Sequence, residues 1–116
     1  MASKGVILLF SRMSKGTPAM NVLVTLKFPV RASELDNFLT VLKEALIDTR
    51  AYDGCQSVST YVERGTGSVF LVEHWDSAEH QQDYMSWRIE TGLIEALDPY
   101  LEGEIDVQTY DPAAGI

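Results

Sequence analysis

From Met20 to Phe28, apolar side chains recur at every second position. Met20, Val22, Val24, Leu26 and Phe28 fall on one side, Asn21, Leu23, Thr25 and Lys27 on the other. This alternation predicts a strand with one fully apolar face and one mixed face. The period then lengthens: Leu35, Phe38, Leu39, Leu42, Ala45, Leu46 and Thr49 form one stripe at helical spacing. Ser33 is the expected N-cap of this helix, with Asp36 at the capping-box position. The helix should run to about Arg50 and stop before Tyr52-Asp-Gly54, where a glycine supplies the positive φ of a helix exit.

Alternation returns over Cys55–Val62 and Ser68–Trp75, and the turn between them, Glu63-Arg-Gly-Thr-Gly67, predicts a hairpin. Ser77 should cap a second helix that reaches about Thr91. Gly92 interrupts it, Leu93 to Leu97 reads as a further short helical segment, and Asp98-Pro99 stops that segment. Gly103 to Tyr110 is the last expected strand, with Ile105 and Val107 as its apolar core. The order β-α-β-β-α-β predicts an α+β, ferredoxin-like fold, with two helices on one face of four antiparallel strands. The other face, carrying Val, Ile and Tyr, would be left bare, and pairing two sheets face to face would cover it. A C2 homodimer is therefore expected.

The chain has 116 residues, enough for one domain with its own core. Residues 1–19 read as an N-terminal arm: an apolar pentad, Val6 to Phe10, then a stretch rich in Ser, Gly, Lys and Pro. Residues 20–111 form the domain and 112–116 a tail. The pentad is too short for a membrane span or a signal-peptide core. The single Cys55 rules out an intrachain disulfide and points to a reducing compartment. A cytoplasmic protein is expected.

Net charge is −8 and unevenly spread. The first 33 residues hold five cations and no acid, whereas residues 34–116 hold four cations against seventeen acids, a net of −13. Such a body repels nucleic acid and anionic membranes, so neither is an expected partner. His74, His80 and Cys55 lack metal-ligand spacing, so no metal is expected. Gly65-Thr-Gly67 lies in a hairpin and opens no helix, so it is not a phosphate loop.

Candidate chemistry concentrates where the strand ending in Trp75 passes into the second helix. On that helix Ala78, Met85, Ile89 and Gly92 define the expected buried stripe, and Arg88 lies about 60° from its centre at ~100° per residue. An Arg so close to a core face is either paired to an acid, Glu73 or Glu90, or turned into a cavity as an anion-stabilising charge. Tyr84 lies at the edge of the same stripe, as a hydrogen-bonding or packing residue. Trp87 projects nearly opposite, as surface packing or a pocket wall. Trp75 shares the face of Val69, Leu71 and Glu73. His74 faces the other way with Phe70 and Val72, and is either a general base or buried in a dimer core. Asn21 and Thr25 share the mixed face of the first strand and could orient a substrate oxygen.

Three segments carry a family resemblance: Asp53-Gly54-Cys55, Val72-Glu-His-Trp75-Asp-Ser77-Ala78, and Tyr84-x-x-Trp87-Arg88-x-Glu90-x-Gly92. From about Met20 to Asp111 the chain resembles the antibiotic biosynthesis monooxygenase (ABM) superfamily of dimeric α+β barrel proteins. The resemblance implies a pocket between helices and sheet in each subunit. Known activities of that superfamily include cofactor-free oxygenation of anthrones and quinols, haem degradation, and isomerisation of a signalling metabolite. The haem-degrading branch uses a Trp on the second helix and a later His; here Tyr84 and Ile94 stand near those positions, and Asn21 stands near the Asn of its first strand. The quinol-oxygenase branch often has His where Tyr84 stands.

The expectation is thus a homodimeric, cofactor-independent monooxygenase acting on a small aromatic polyphenol, quinol or anthrone. Arg88, Tyr84, Asn21 and His74 are its candidate catalytic residues, and Trp75, Thr25, Trp87 and Met85 its candidate substrate contacts. A non-catalytic small-ligand-binding dimer and a non-redox isomerase are the alternatives.

Overall fold

In a computed structural model, which describes residues 21–116, the first strand β1 (Val22–Phe28) buries every second side chain as its alternation requires. The expected arm, and Met20 as the start of that strand, lie outside the described residues. The 17-residue helix α1 (Leu35–Ala51) follows, burying Phe38, Leu42, Leu46 and Thr49, three or four residues apart. Ser33 does not cap it. A 3-10 turn, Ala32–Glu34, intervenes, so Glu34 occupies the N-cap position without a side-chain hydrogen bond. The shift displaces Ser33 from the first α-helical turn, and the capping box with Asp36 is not made.

Strand β2 (Cys55–Val62) and strand β3 (Val69–Trp75) form the hairpin. Helix α2 (Ala78–Glu90) begins as expected: Ser77 Oγ accepts the backbone N–H of His80 at 3.1 Å. Gly92, with φ +85°, turns the chain into the five-residue helix α3 (Leu93–Leu97). A 3-10 turn, Asp98–Tyr100, ends that segment. The last strand, β4 (Asp106–Tyr110), is shorter than expected.

The four strands lie in the order β2-β3-β1-β4, every neighbouring pair antiparallel. This is the ferredoxin-like α+β arrangement. Register fixes what faces the helices: Val24 of β1 stands beside Glu73 of β3 and Thr109 of β4, and Leu26 beside Leu71 and Val107. Trp75, Phe38 and Val24 are fully buried between layers. Burying one such large apolar side chain contributes about 1.5–3 kcal/mol, so truncating Phe38 to Ala would be among the most damaging single changes.

The buried stripe of α2 is rotated from the expected one. It consists of Gln81, Tyr84, Met85 and Arg88, while Ala78 and Ile89 are only half-buried. Arg88 therefore sits on the core face and not beside it.

Candidate functional site

Thr49, in the last turn of α1, faces the sheet layer because it closes that helix's apolar stripe. Tyr84 and Arg88 stand one turn apart on α2 and meet it from the other helix. The Thr49 and Tyr84 hydroxyls are 2.5 Å apart, Arg88 Nε donates to the Tyr84 hydroxyl at 2.8 Å, and Arg88 Nη2 donates to Thr49 Oγ1 at 3.2 Å. Arg88 Nη2 also donates to the Ala45 carbonyl at 2.6 Å. Thr49 gives its single hydroxyl proton to the Ala45 carbonyl at 3.4 Å, so in the Thr49–Tyr84 pair the tyrosine is the donor.

Arg88 is 7% exposed. Its guanidinium lies over the Trp87 ring at 4.5 Å and the Tyr84 ring at 5.3 Å, which compensates part of the lost hydration. The expected pairing with Glu73 or Glu90 is not made: among the described residues the ion pairs are Lys27–Glu63 and His80–Asp53.

From the sheet side comes Glu73, 2% exposed. Trp75 Nε1, two residues on and so on the same face, donates to Glu73 Oε1 at 2.9 Å. Burial pushes the Glu73 carboxyl up from 4.5 to about 7, against the opposing pull of the Trp75 hydrogen bond and the Arg88 charge. Burial also raises the Tyr84 hydroxyl, outweighing its bonds to Thr49 and Arg88. Tyr84 is thereby a donor and not a base near neutrality. Cys55 is raised too, first by burial and then by Glu73, so it stays a thiol.

These groups border a cavity of about 30 Å³ between helices and sheet. Thr49, Glu73, Tyr84 and Arg88 are its polar members; the rest of the lining is apolar, including Leu26, Leu71, Met85 and Ile94. A space of that size admits a water and not an aromatic ring. Among the described residues no three His, Cys, Asp or Glu side chains are grouped to hold a metal. The arrangement can hold a negative charge beside Arg88 and accept a proton at Glu73.

Residues 21–88 match the family model described as antibiotic biosynthesis monooxygenase. The chain belongs to the antibiotic biosynthesis monooxygenase family. Among solved structures, this family member is similar to a conserved protein of Methanosarcina mazei Go1, with TM-score 0.74 and 17% identity over 82% of this chain and 95% of that one. It is similar to Rv0793 of Mycobacterium tuberculosis, with TM-score 0.71 and 22% identity over 80% and 95%. It is also similar to a monooxygenase of Streptomyces coelicolor solved in complex with nanaomycin D, with TM-score 0.70 and 17% identity over 86% and 94%. At these identities the likeness speaks for the fold. Among curated proteins none matches the chain.

In this ABM-family chain Arg88, Tyr84 and Met85 come together at the cavity. Trp75 is buried behind it, with its ring 5.2 Å from Tyr84. Trp87 is half-buried outside the lining, stacked on Tyr52 at 5.5 Å. Three expected residues do not join the site. Thr25 and His74 point from the sheet face that the helices do not cover, and His74 Nδ1 is 3.2 Å from Ser57 Oγ. Asn21 is exposed at the end of the sheet, where its side-chain oxygen accepts from Gln56 at 2.8 Å. The sheet itself separates Thr25 and His74 from Arg88.

Glu73 was not among the expected site residues. Its signal was an acid in the inward register of Val69, Leu71 and Trp75. Gln81 was missed as a buried residue: it lies outside the cavity lining, is 0% exposed, and neither side-chain amide atom has a hydrogen-bond partner among the described residues. Its place one turn before Tyr84 and Met85 is the only hint the pattern holds.

Proposed function

We propose that this chain is a cofactor-independent monooxygenase that oxidises a small aromatic polyphenol, quinol or anthrone between its helices and its sheet. The observation that carries the reading is Arg88, a buried guanidinium bordering a mostly apolar cavity and joined to no carboxylate. A fixed positive charge in a dry site stabilises an aromatic oxyanion far better than water-exposed charge does. Once its proton is lost, a quinol or anthrone is a strong reductant. The anion passes one electron to O2, and the resulting radical pair combines to a peroxide on a ring carbon that carries hydrogen. As the O–O bond breaks, that carbon's C–H proton passes to the outer oxygen, so that hydroxide, then protonated to water, leaves and a carbonyl remains. One oxygen atom stays on the substrate, one leaves as water, and the substrate supplies every electron.

The cavity must widen to admit a ring, since ligand pockets are typically ~300 Å³ or more. The short helix α3 is the element able to yield: it is five residues long, follows a left-handed Gly92, and lines the cavity with Leu93, Ile94 and Leu97. The same reading includes a homodimer. Leu23, Phe70, Val72 and Tyr61 share the uncovered sheet face, with Tyr61 57% exposed. A second copy of that face is its natural cover. No helix among the described residues is long and apolar enough to cross a membrane.

The test is oxygen uptake by purified protein, without added metal or flavin, against a panel of quinols and anthrones. Uptake well above autoxidation, lost in Arg88→Met with the fold intact by circular dichroism, supports the reading. No uptake across the panel sinks it in favour of a non-redox reaction or ligand binding.

A further inference from the structure

Glu73 is a carboxyl group set among apolar neighbours on the helix-facing side of the sheet: its register neighbours are Val24 on β1 and Val58 on β2. A purely structural role would be to accept the Trp75 indole N–H, and a glutamine would serve that equally. Among the described residues that N–H is the only hydrogen bond to Glu73, and it reaches Oε1. The carboxyl group also borders the cavity. The charged and titratable groups facing it are Arg88 and Tyr84 from α2 and Cys55 from β2, whereas α1 and α3 line the cavity with uncharged side chains such as Thr49, Leu46 and Ile94. An acceptor and a cation therefore border one small, mostly apolar space, each supplied by packed secondary structure.

We infer that Glu73 is the proton acceptor of this site: its carboxylate takes the hydroxyl proton of a bound quinol, and the electron pair of the broken O–H bond stays on the substrate oxygen beside Arg88. The inference rests on the oxygenase reading for its substrate. The proton is returned to the hydroxide expelled from the peroxide, so water leaves and Glu73 ends the cycle ionised. With its carboxyl raised to about 7, Glu73 is matched to proton transfer near neutral pH.

The experiment compares wild type with Glu73→Gln, which keeps the acceptor oxygen for Trp75 but cannot take a proton. Wild-type oxygen uptake should rise with pH through about 7. In Glu73→Gln, kcat at neutral pH should fall about 100-fold or more, with KM little changed. That deficit should shrink as pH approaches the ionisation of the quinol itself, because a pre-ionised substrate needs no acceptor. A variant with wild-type rate and pH profile overturns the inference. A second readout separates it from the oxygenase reading: 4-nitrophenol, inert to oxygen, absorbs visibly when ionised. At about pH 8, where Glu73 and free 4-nitrophenol are both largely ionised, wild type should take up a proton onto Glu73 as the phenolate binds and Glu73→Gln none, read by calorimetry in buffers of different ionisation heat. If wild type consumes no oxygen yet shows this difference, the oxygenase reading fails and the proton acceptor stands. If both proteins bind 4-nitrophenol with the same proton change, or neither binds it, Glu73 is not the acceptor.

Discussion

Arg88 clamps the two long helices by donating Nε to the Tyr84 hydroxyl at 2.8 Å, one turn earlier on its own helix, and Nη2 to the Ala45 carbonyl of the other at 2.6 Å. The site's cation is thus also a structural cross-link. Arg88→Met keeps the aliphatic stem but leaves the Tyr84, Thr49 and Ala45 oxygens short of a donor, and should cost about 2–4 kcal/mol. Arg88→Lys should recover only part of that, because an ammonium cannot span three acceptors while stacking on Trp87. Urea unfolding midpoints at unchanged slope measure both. A Lys variant as stable as wild type would show that charge, and not fork geometry, holds the helices together.

Tyr84→Phe removes one hydroxyl and leaves the ring against Trp75 and Tyr52. Thr49 and Arg88 each lose a partner, so stability should drop by about 1–2 kcal/mol. Because burial keeps the Tyr84 hydroxyl protonated, the substitution should lower oxygen uptake without moving its pH dependence. A shifted pH profile would instead mark Tyr84 as the titrating group.

Glu73 links folding to pH. The folded chain holds its proton up to about pH 7, whereas the unfolded chain releases it near 4.5. Folded Glu73 binds the proton more tightly, so its contribution is most favourable below 4.5 and is lost as pH rises through about 7. The full difference is about 3 kcal/mol. The stability of wild type minus that of Glu73→Gln, from urea unfolding between about pH 4 and 8, should fall by that order as pH rises. A flat difference would mean that the carboxyl titrates like an exposed one.

Strand and helix positions were legible because each strand alternates and each helix carries a stripe, and Ser77 caps α2 where the pattern places it. Two features were not. The apolar side chains of α2 mark one stripe, yet the helix buries Gln81 and Arg88, which hydropathy assigns to water. Arg88 is held there by bonds to α1, a partner that no local pattern on α2 contains. Alternation also shows that Asn21 and Thr25 share one side of β1 without saying which side the helices cover. Placing Thr25 with Arg88 required that non-local fact, and the packing decides against it. The likeness to the ABM family fixed the fold and left these side-chain choices open.

Gly54 is required on two counts. Its φ is +92°, and a Cβ there would fall on the His80 side chain, which sits against Ser77 at the start of α2. Gly54→Ala should therefore destabilise by about 1–2 kcal/mol from backbone conformation alone, plus the clash. In a His80→Gly background, which removes the His80 Cβ as well as the ring, the clash is removed and only the backbone part should remain. Thermal unfolding of the two single variants and the double variant gives the coupling. Additive effects would mean that His80 turns aside at no cost.

Val72 stands at the middle of the uncovered sheet face, with Thr25 and Ser59 beside it and Phe70 and His74 two residues away on the same side. It is half-buried in the isolated chain and belongs to no part of the helix-side core. Val72→Lys should consequently leave the fold of one chain within about 0.5 kcal/mol. If two sheets pair through this face, the same substitution places two ammonium groups in a dry interface, where charge is costly. Sedimentation should then show a dimer for wild type and a monomer of unchanged circular dichroism for Val72→Lys. A variant that sediments with wild type would move the contact elsewhere, and a monomeric wild type would leave this face open to another partner.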